Sequence, residues 1–163
     1  MKVILVGNSA TLLDQSNGDL IDSYDGVIRF NGGNPAGHRE SLGSKTDYWS
    51  FSTLREDDYI RWKIPGAVPM CLNMRIKYPF VKEDAIYNNA GTYRMLRSSY
   101  SHPRPSTGLI TAHYVVKLWK CAVDCIGFDF FESDTWYRGS NQNIPHDGKM
   151  EREYMQSLGV RIL

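Results

Sequence analysis

The pair His146 and Glu151 is the clearest sign of acid–base chemistry in the sequence. Four residues separate them, and Asp147 is placed to cap the helix that the following residues predict. A histidine with its ordinary pKa of about 6.5 can take a proton from a hydroxyl at neutral pH. Glu151, at the start of the helix, can support the loop that carries this histidine. The alternative is that His146 is a solvated loop residue.

A second candidate site is the segment Arg104-Pro-Ser-Thr-Gly-Leu109. Pro105, with Pro103 just before the segment, stops the preceding element, and Ser106, Thr107 and Gly108 then bring hydroxyls and backbone N–H groups to a predicted helix N-terminus. Such a helix end stabilises an anion. An ordinary helix with Ser106 as its cap is the alternative.

The loop after the first apolar segment offers small hydrogen-bonding side chains. Residues 2–6 end at Gly7-Asn8-Ser9, which predicts a buried strand opening into a loop. Asn8 and Ser9 at the carboxyl end of a strand suit the sugar or phosphate of a nucleotide. The loop lacks the three glycines of a dinucleotide site, and in residues 37–46 Ser44 stands where a P-loop needs lysine. We therefore expect neither NAD nor NTPase chemistry.

Alternating strands and helices must position these groups. Apolar, β-branched runs predict strands over residues 2–6, 27–30, 48–52, 68–72, 122–126 and 160–163. Helical spacing of apolar residues predicts helices over residues 83–100, 106–119 and 149–158, with a polar loop over 132–147. This alternation predicts an α/β fold with one doubly wound, mainly parallel sheet flanked by helices. Its ligand crevice would lie beyond the carboxyl ends of the strands.

Length and charge limit the classes of protein that fit. The 163 residues suit a single domain, residues 1–163, and 42% hydrophobic with 23% charged residues is typical of a globular protein. A net charge of +1 gives no overall field for nucleic acid or an anionic membrane. Arg94, Arg97 and Arg104 among tyrosines would suit a nucleic-acid module, but scattered surface charge is the commoner explanation. We expect no nucleic-acid partner.

Targeting, redox and metal signals are weak throughout the sequence. No apolar run reaches the roughly 20 residues that cross a bilayer, and residues 1–6 lack the features of a secretion signal. We therefore expect a soluble, cytoplasmic chain without a membrane span. The three cysteines match neither a zinc site nor a disulfide framework, so we expect thiols. No His, Cys and carboxylate cluster has metal-ligand spacing, so we expect no catalytic metal.

In this order, the motifs resemble the sialylmotifs of glycosyltransferase family 29, the sialyltransferases. The large motif is similar to a stretch that opens with Val6-Gly-Asn-Ser9, continues through Val27-Ile-Arg-Phe-Asn31 and closes with Gly43-Ser-Lys-Thr46. The small motif resembles the stretch from Pro105-Ser-Thr-Gly-Leu109 to Ile126-Gly-Phe128. The very small motif resembles His146 with Glu151, and the family's third motif is loosely similar to Trp136-Tyr137-Arg138.

The resemblance implies an inverting, metal-independent transfer of a sialic acid or related ulosonic acid. The donor would be CMP-activated, the acceptor would be a glycan or glycolipid hydroxyl, and the CMP-sugar would be a co-substrate rather than a cofactor. His146 would act as the general base, supported by Glu151. The residues implied in donor binding are Asn8, Ser9, Asn31, Ser106, Thr107, Gly108 and Tyr137. The implied fold is a compact, Rossmann-like variant of the GT-A type.

The chain also departs from the pattern of that family. It is far shorter than the usual catalytic domain, so we expect segments that bind the acceptor to be missing. A CMP-binding protein, or a CMP-sugar hydrolase with a degenerate acceptor site, is therefore the alternative function. Most relatives carry an N-terminal Golgi anchor, and a trimmed eukaryotic member of the family would come from that compartment.

Overall fold

Strands and helices alternate along the chain in the computed structural model, which describes residues 1–53, 55–73, 78–82, 84–138 and 145–163. The strands are β1 (Lys2–Val6), β2 (Gly26–Phe30), β3 (Tyr48–Ser50), β4 (Val68–Cys71), β5 (Ile86–Tyr87), β6 (Ala122–Ile126) and β7 (Arg161–Ile162). The α-helices are α1 (Gly18–Asp22), α2 (Arg39–Leu42), α3 (Glu56–Trp62), α4 (Ala90–Ser99), α5 (Thr107–Tyr114) and α6 (Gly148–Ser157). A 3₁₀ helix covers Ala10–Asp14, and α5 continues into a π-helical segment, Val115–Trp119.

The strands form one seven-stranded sheet in the order β5-β4-β3-β2-β1-β6-β7. Each neighbouring pair is parallel. The order reverses at β1, where Ile4 pairs with Val27 of β2 on one side and with Asp124 of β6 on the other. The prediction of a doubly wound α/β fold is confirmed, and a parallel sheet of this kind has its ligand crevice beside the point of reversal.

Helices cover both faces of the sheet. Successive strand residues point to opposite faces, so each strand contributes side chains to both. Val3 and Leu5 belong to an apolar core that also contains buried residues of α4, α5 and α6. Ile4 and Val6 pack instead with buried residues of the 3₁₀ helix, α1 and α2. A third cluster, rich in aromatic rings, joins β3 to α3. Burial on both faces explains why the central strands are mostly apolar, with Arg29 of β2 and Asp124 of β6 as buried charged exceptions.

A buried arginine fixes the segment that connects α2 to β3. Arg29 is 1% exposed, and its guanidinium donates to the carbonyl oxygens of Leu42 (2.5 Å) and Lys45 (3.0 Å) and to Thr46 Oγ1 (2.9 Å). Burial lowers the pKa of Arg29 to about 10, so the side chain remains charged at neutral pH. Asp22 accepts from the backbone N–H of Lys45 at 2.9 Å. The closing residues of the large-motif segment, 43–46, therefore support β2 through the Arg29 side chain.

The structure corrects several predicted boundaries. The helix predicted over 83–100 begins only at Ala90, because the Asn89 side chain caps it by accepting from Thr92 N at 2.7 Å. Residues 86–87 form β5 instead, and the strands predicted over 48–52 and 160–163 are shorter. The 3₁₀ helix, α1, α2 and α3 were not predicted, since segments of four to seven residues carry little periodic signal. Residue 83 and residues 139–144 of the predicted helix and loop lie outside the described residues.

Candidate active site

A cleft of about 350 Å³ opens at the carboxyl ends of β1, β2 and β6, where the strand order reverses. Its walls come from the loops after these strands, the start of α5 and the segment before α6. Nine residues singled out in the sequence line this cleft: Asn8, Ser9, Asn31, Ser106, Thr107, Gly108, Tyr137, His146 and Glu151. Residues far apart in sequence thus share one site, although their roles in binding and catalysis remain predictions.

His146 lies half-buried in the cleft with a defined tautomer. Its Nδ1 is 2.8 Å from the backbone oxygen of Arg104. Because a carbonyl oxygen only accepts, Nδ1 donates this bond and carries the hydrogen, which leaves Nε2 of the neutral ring as a proton acceptor. Burial lowers the pKa of His146, and the charges of His102 and Arg104 act in the same direction. The imidazole is therefore neutral at neutral pH, the form that a general base requires.

Glu151 joins the start of α6 to the start of α5. Its carboxylate accepts the Ser106 backbone N–H at 2.7 Å and the Ser106 hydroxyl at 2.5 Å. The same Ser106 oxygen accepts from Leu109 N at 3.1 Å, the N-cap bond that the sequence predicts. Burial raises the pKa of Glu151 to about 7, against the lowering effect of the Ser106 hydrogen bonds. The glutamate thus fixes the small-motif helix relative to the segment that carries His146.

Two asparagines, which follow the adjacent strands β1 and β2, line the cleft. Each side-chain amide makes one hydrogen bond within the protein. Asn8 Nδ2 donates to the Phe30 carbonyl at 3.1 Å, and Asn31 Oδ1 accepts from Ser52 N at 3.0 Å. Asn31 adopts a left-handed conformation with φ of 47°, which asparagine tolerates better than most residues. Neither the amide oxygen of Asn8 nor the amide nitrogen of Asn31 hydrogen-bonds another of the described residues, so each can contact a ligand.

Unlike the two asparagine amides, which make one hydrogen bond each, the Ser9 hydroxyl makes several within the protein. The residue is 5% exposed, and its hydroxyl lies 2.7 Å from Thr11 Oγ1, 3.0 Å from Asp129 Oδ2 and 3.0 Å from Ser133 Oγ. These contacts occupy the hydroxyl inside the protein. The structure therefore places Ser9 as part of the cleft wall that connects the loops after β1 and β6.

Tyr137 lies on a segment that is attached to the loop after β1. Trp136 N donates to the Asn8 carbonyl at 3.1 Å, and the Trp136 and Tyr137 rings meet edge to face at 5.5 Å. Trp62 of α3 lies 6.3 Å from the Tyr137 ring. Burial raises the pKa of Tyr137, so its phenol keeps its proton at neutral pH. A neutral phenol at this position can donate a hydrogen bond to an anion.

Sequence reasoning missed the turn after β6, which contributes Asp129 and Phe131 to the cleft. Asp129 Oδ2 accepts from Ser133 N at 2.9 Å and Oδ1 accepts from Phe131 N at 3.2 Å. The Phe131 ring stacks on His146 with 5.3 Å between centroids. An aspartate that bonds the backbone two residues ahead is typical of an Asx turn, and this was the available signal.

Within the described ranges, no three His, Cys, Asp or Glu side chains are grouped closely enough to hold a metal ion. In the same part of the chain, no helix combines the length and apolar character needed to cross a bilayer.

Comparison with known proteins gives a family assignment. The model of glycosyltransferase family 29 (sialyltransferase) matches residues 2–64. The type 2 lactosamine alpha-2,3-sialyltransferases of Homo sapiens and Pan troglodytes are each 42% identical to the chain over 203 aligned residues. These alignments cover 96% of the chain and 61% of each relative, so the chain spans 61% of the length of the curated relatives that it matches. The chain belongs to glycosyltransferase family 29.

The fold also matches a solved structure. A mammalian sialyltransferase in complex with Gal-beta-1-3GalNAc-ortho-nitrophenol superposes with a TM-score of 0.71. The match covers 99% of this chain and 68% of that chain. Because the sequences are only 21% identical, the match shows a shared fold.

Proposed function

We propose that the chain is a sialyltransferase with His146 as its general base. It would transfer a sialic acid, or a related ulosonic acid, from a CMP-activated donor to a glycan hydroxyl with inversion and without a metal ion. The main support is the His146 tautomer: a carbonyl holds Nδ1 at 2.8 Å, which leaves Nε2 as the proton acceptor in the cleft. Family membership supplies the class of reaction.

The proposed chemical step needs one proton acceptor and one stabilised leaving group. His146 Nε2 takes the proton of the acceptor hydroxyl while that oxygen forms a bond to the anomeric carbon. The bond from the anomeric carbon to the phosphate oxygen breaks on the opposite face, and its electron pair leaves with CMP. Attack opposite the leaving group inverts the anomeric centre.

Donor binding would use fixed dipoles to stabilise negative charge. The first N–H groups of α5 suit an anion, because the aligned peptide dipoles place partial positive charge at a helix N-terminus. Two of these donors are already used, since Ser106 N bonds Glu151 and Leu109 N bonds Ser106 Oγ. The N–H groups of Thr107 and Gly108 are left to face the donor. The Tyr137 phenol would donate to the leaving phosphate, and Asn8 with Asn31 would hold the nucleotide.

The names of the relatives suggest the first acceptor to test. Proteins that are 42% identical are called type 2 lactosamine alpha-2,3-sialyltransferases, so we take type 2 lactosamine as acceptor and an α2,3 linkage as product. One observation favours the alternative of a donor-binding protein or hydrolase. The alignment runs over 203 residues whereas the chain has 163, so the relatives contain inserted segments that this chain lacks.

The test follows CMP-N-acetylneuraminate by NMR in the presence of EDTA, with and without type 2 lactosamine. A transferase releases CMP and forms sialylated lactosamine; a hydrolase releases CMP and free sialic acid in both samples. His146→Ala should abolish transfer and retain CMP binding, whereas Tyr87→Ala, at an exposed ring outside the cleft lining, should leave both unchanged. Loss of transfer in EDTA, with recovery on adding magnesium or manganese, would overturn the metal-free mechanism.

A further inference from the structure

An aromatic ring covers one face of the His146 imidazole. The rings of Phe131 and His146 are stacked, with centroids 5.3 Å apart and planes inclined by 29°. The Arg104 carbonyl already holds Nδ1 at the edge of the imidazole. A single hydrogen bond still allows the ring to tilt about the bonded nitrogen, and a stacked neighbour restricts that tilt. His146 is thus held at one edge and on one face.

The turn that carries Phe131 has an uncommon backbone conformation. Phe130 and Phe131 have φ of 56° and 74°, values that bulky side chains rarely adopt. Such conformations persist where the surroundings hold them, and they are concentrated at functional sites. Asp129 holds this turn, because its carboxylate accepts from Phe131 N at 3.2 Å and from Ser133 N at 2.9 Å.

The same turn packs directly on the first residues of α6. A Cβ at Gly148 would lie 2.0 Å from the Phe130 backbone oxygen, so this close approach requires glycine. The Arg152 guanidinium lies 4.8 Å from the Phe130 ring centroid and 3.6 Å from a Glu132 oxygen. The turn and the start of α6 therefore form one packed unit, and His146 lies two residues before that helix.

We propose that Phe131 is a positioning residue for His146, holding the imidazole so that Nε2 meets the acceptor hydroxyl. This inference rests on the proposed function, in which His146 is the base. Proton transfer requires Nε2 within hydrogen-bond distance of the hydroxyl, and a displacement of about 1 Å can cost on the order of a hundredfold in rate.

The test compares Phe131→Gly with Phe131→Tyr. Glycine adopts a φ of 74° without strain and removes the ring, so it separates loss of stacking from loss of folding. We expect Phe131→Gly to lower kcat by about 10- to 100-fold while its Kd for CMP stays within about twofold. Phe131→Tyr keeps the ring and should retain kcat within about threefold. Tyr87→Ala, at an exposed ring on the edge strand β5, is the matched control for aromatic deletion.

A second readout does not depend on turnover. NMR of the His146 ring nitrogens should show the Nδ1–H tautomer in the unaltered protein and in Phe131→Tyr, with a smaller fraction of it in Phe131→Gly. An unchanged kcat and an unchanged tautomer in Phe131→Gly would overturn the inference, and so would equal losses in the glycine and tyrosine variants. Retained transfer in His146→Ala would instead overturn the proposed function, so the two failures are distinguishable.

Discussion

The burial of Glu151 at the start of α6 predicts an unusual dependence of stability on pH. Glu151 is 2% exposed, and its pKa rises from 4.5 to about 7 on folding because the carboxylate loses its hydration. A raised pKa means that the folded state holds the proton more tightly than the unfolded chain. The resulting stabilisation is complete below pH 4.5 and is lost as the pH rises through about 7. The two pKa values correspond to a loss of about 3 kcal/mol.

The assay is urea unfolding of the unaltered protein and of Glu151→Gln over a pH series, followed by tryptophan fluorescence. Glutamine keeps the shape of the side chain and cannot ionise, so its stability curve should lack the Glu151 contribution. The stability difference between the two proteins should change by about 1.4 kcal/mol per pH unit between the two pKa values. Titration of every other group cancels in this difference. Glu153→Gln, at an exposed position of the same helix, should give no such change.

Parallel curves for the unaltered protein and Glu151→Gln between about pH 4.5 and 7 would refute this reasoning. They would mean that the carboxylate keeps its hydration in the folded protein, or that the Ser106 hydrogen bonds offset the effect of burial completely.

Three further predictions concern individual cleft residues. In Asn31→Asp the aspartate tolerates the left-handed backbone, but a charged oxygen replaces the amide nitrogen. Calorimetry should therefore show a CMP affinity at least about tenfold weaker. Unchanged affinity contradicts the assignment of Asn31 to the donor site. Gly108→Ala places a Cβ 2.7 Å from Phe128 Cε1. Denaturant unfolding should show that the free energy of unfolding falls by about 1–3 kcal/mol. An unchanged free energy of unfolding would mean that the Phe128 ring moves freely. Because burial lowers the pKa of His146, its base form persists below the ordinary histidine pKa of about 6.5, so the acid limb of kcat/KM should lie below that pH. An acid limb above that pH that is retained in Glu151→Gln contradicts the proposed base.

Much of the sheet could be predicted because buried parallel strands are apolar along their whole length. β1 after Lys2, and β6 apart from Asp124, are runs of this kind, each followed by a loop that contains glycine. β5 could not be found, since two residues carry no periodicity and Ile86 fits the helical spacing of the segment after it. The side-chain cap at Asn89 separates the two elements, and an isolated asparagine does not reveal this from sequence.

The parts of the candidate site that lie at helix caps could be predicted from the sequence. Ser106 and Asp147 are cap residues with local signals, and each accepts from the backbone N–H three residues on. The bond between Glu151 and Ser106 spans 45 residues, and the stack of Phe131 on His146 depends on how the turn after β6 packs against α6. Contacts of this kind arise from tertiary packing, so only the structure reveals them.

The most direct test of the account is the NMR experiment with CMP-N-acetylneuraminate and type 2 lactosamine, run on the unaltered protein and on His146→Ala. The unaltered protein should release CMP together with a sialylated product. His146→Ala should bind the donor without turnover, because the cleft retains its donor contacts and loses its proton acceptor. Sialylated product formed by His146→Ala at an unchanged rate would contradict the assignment of His146 as the base.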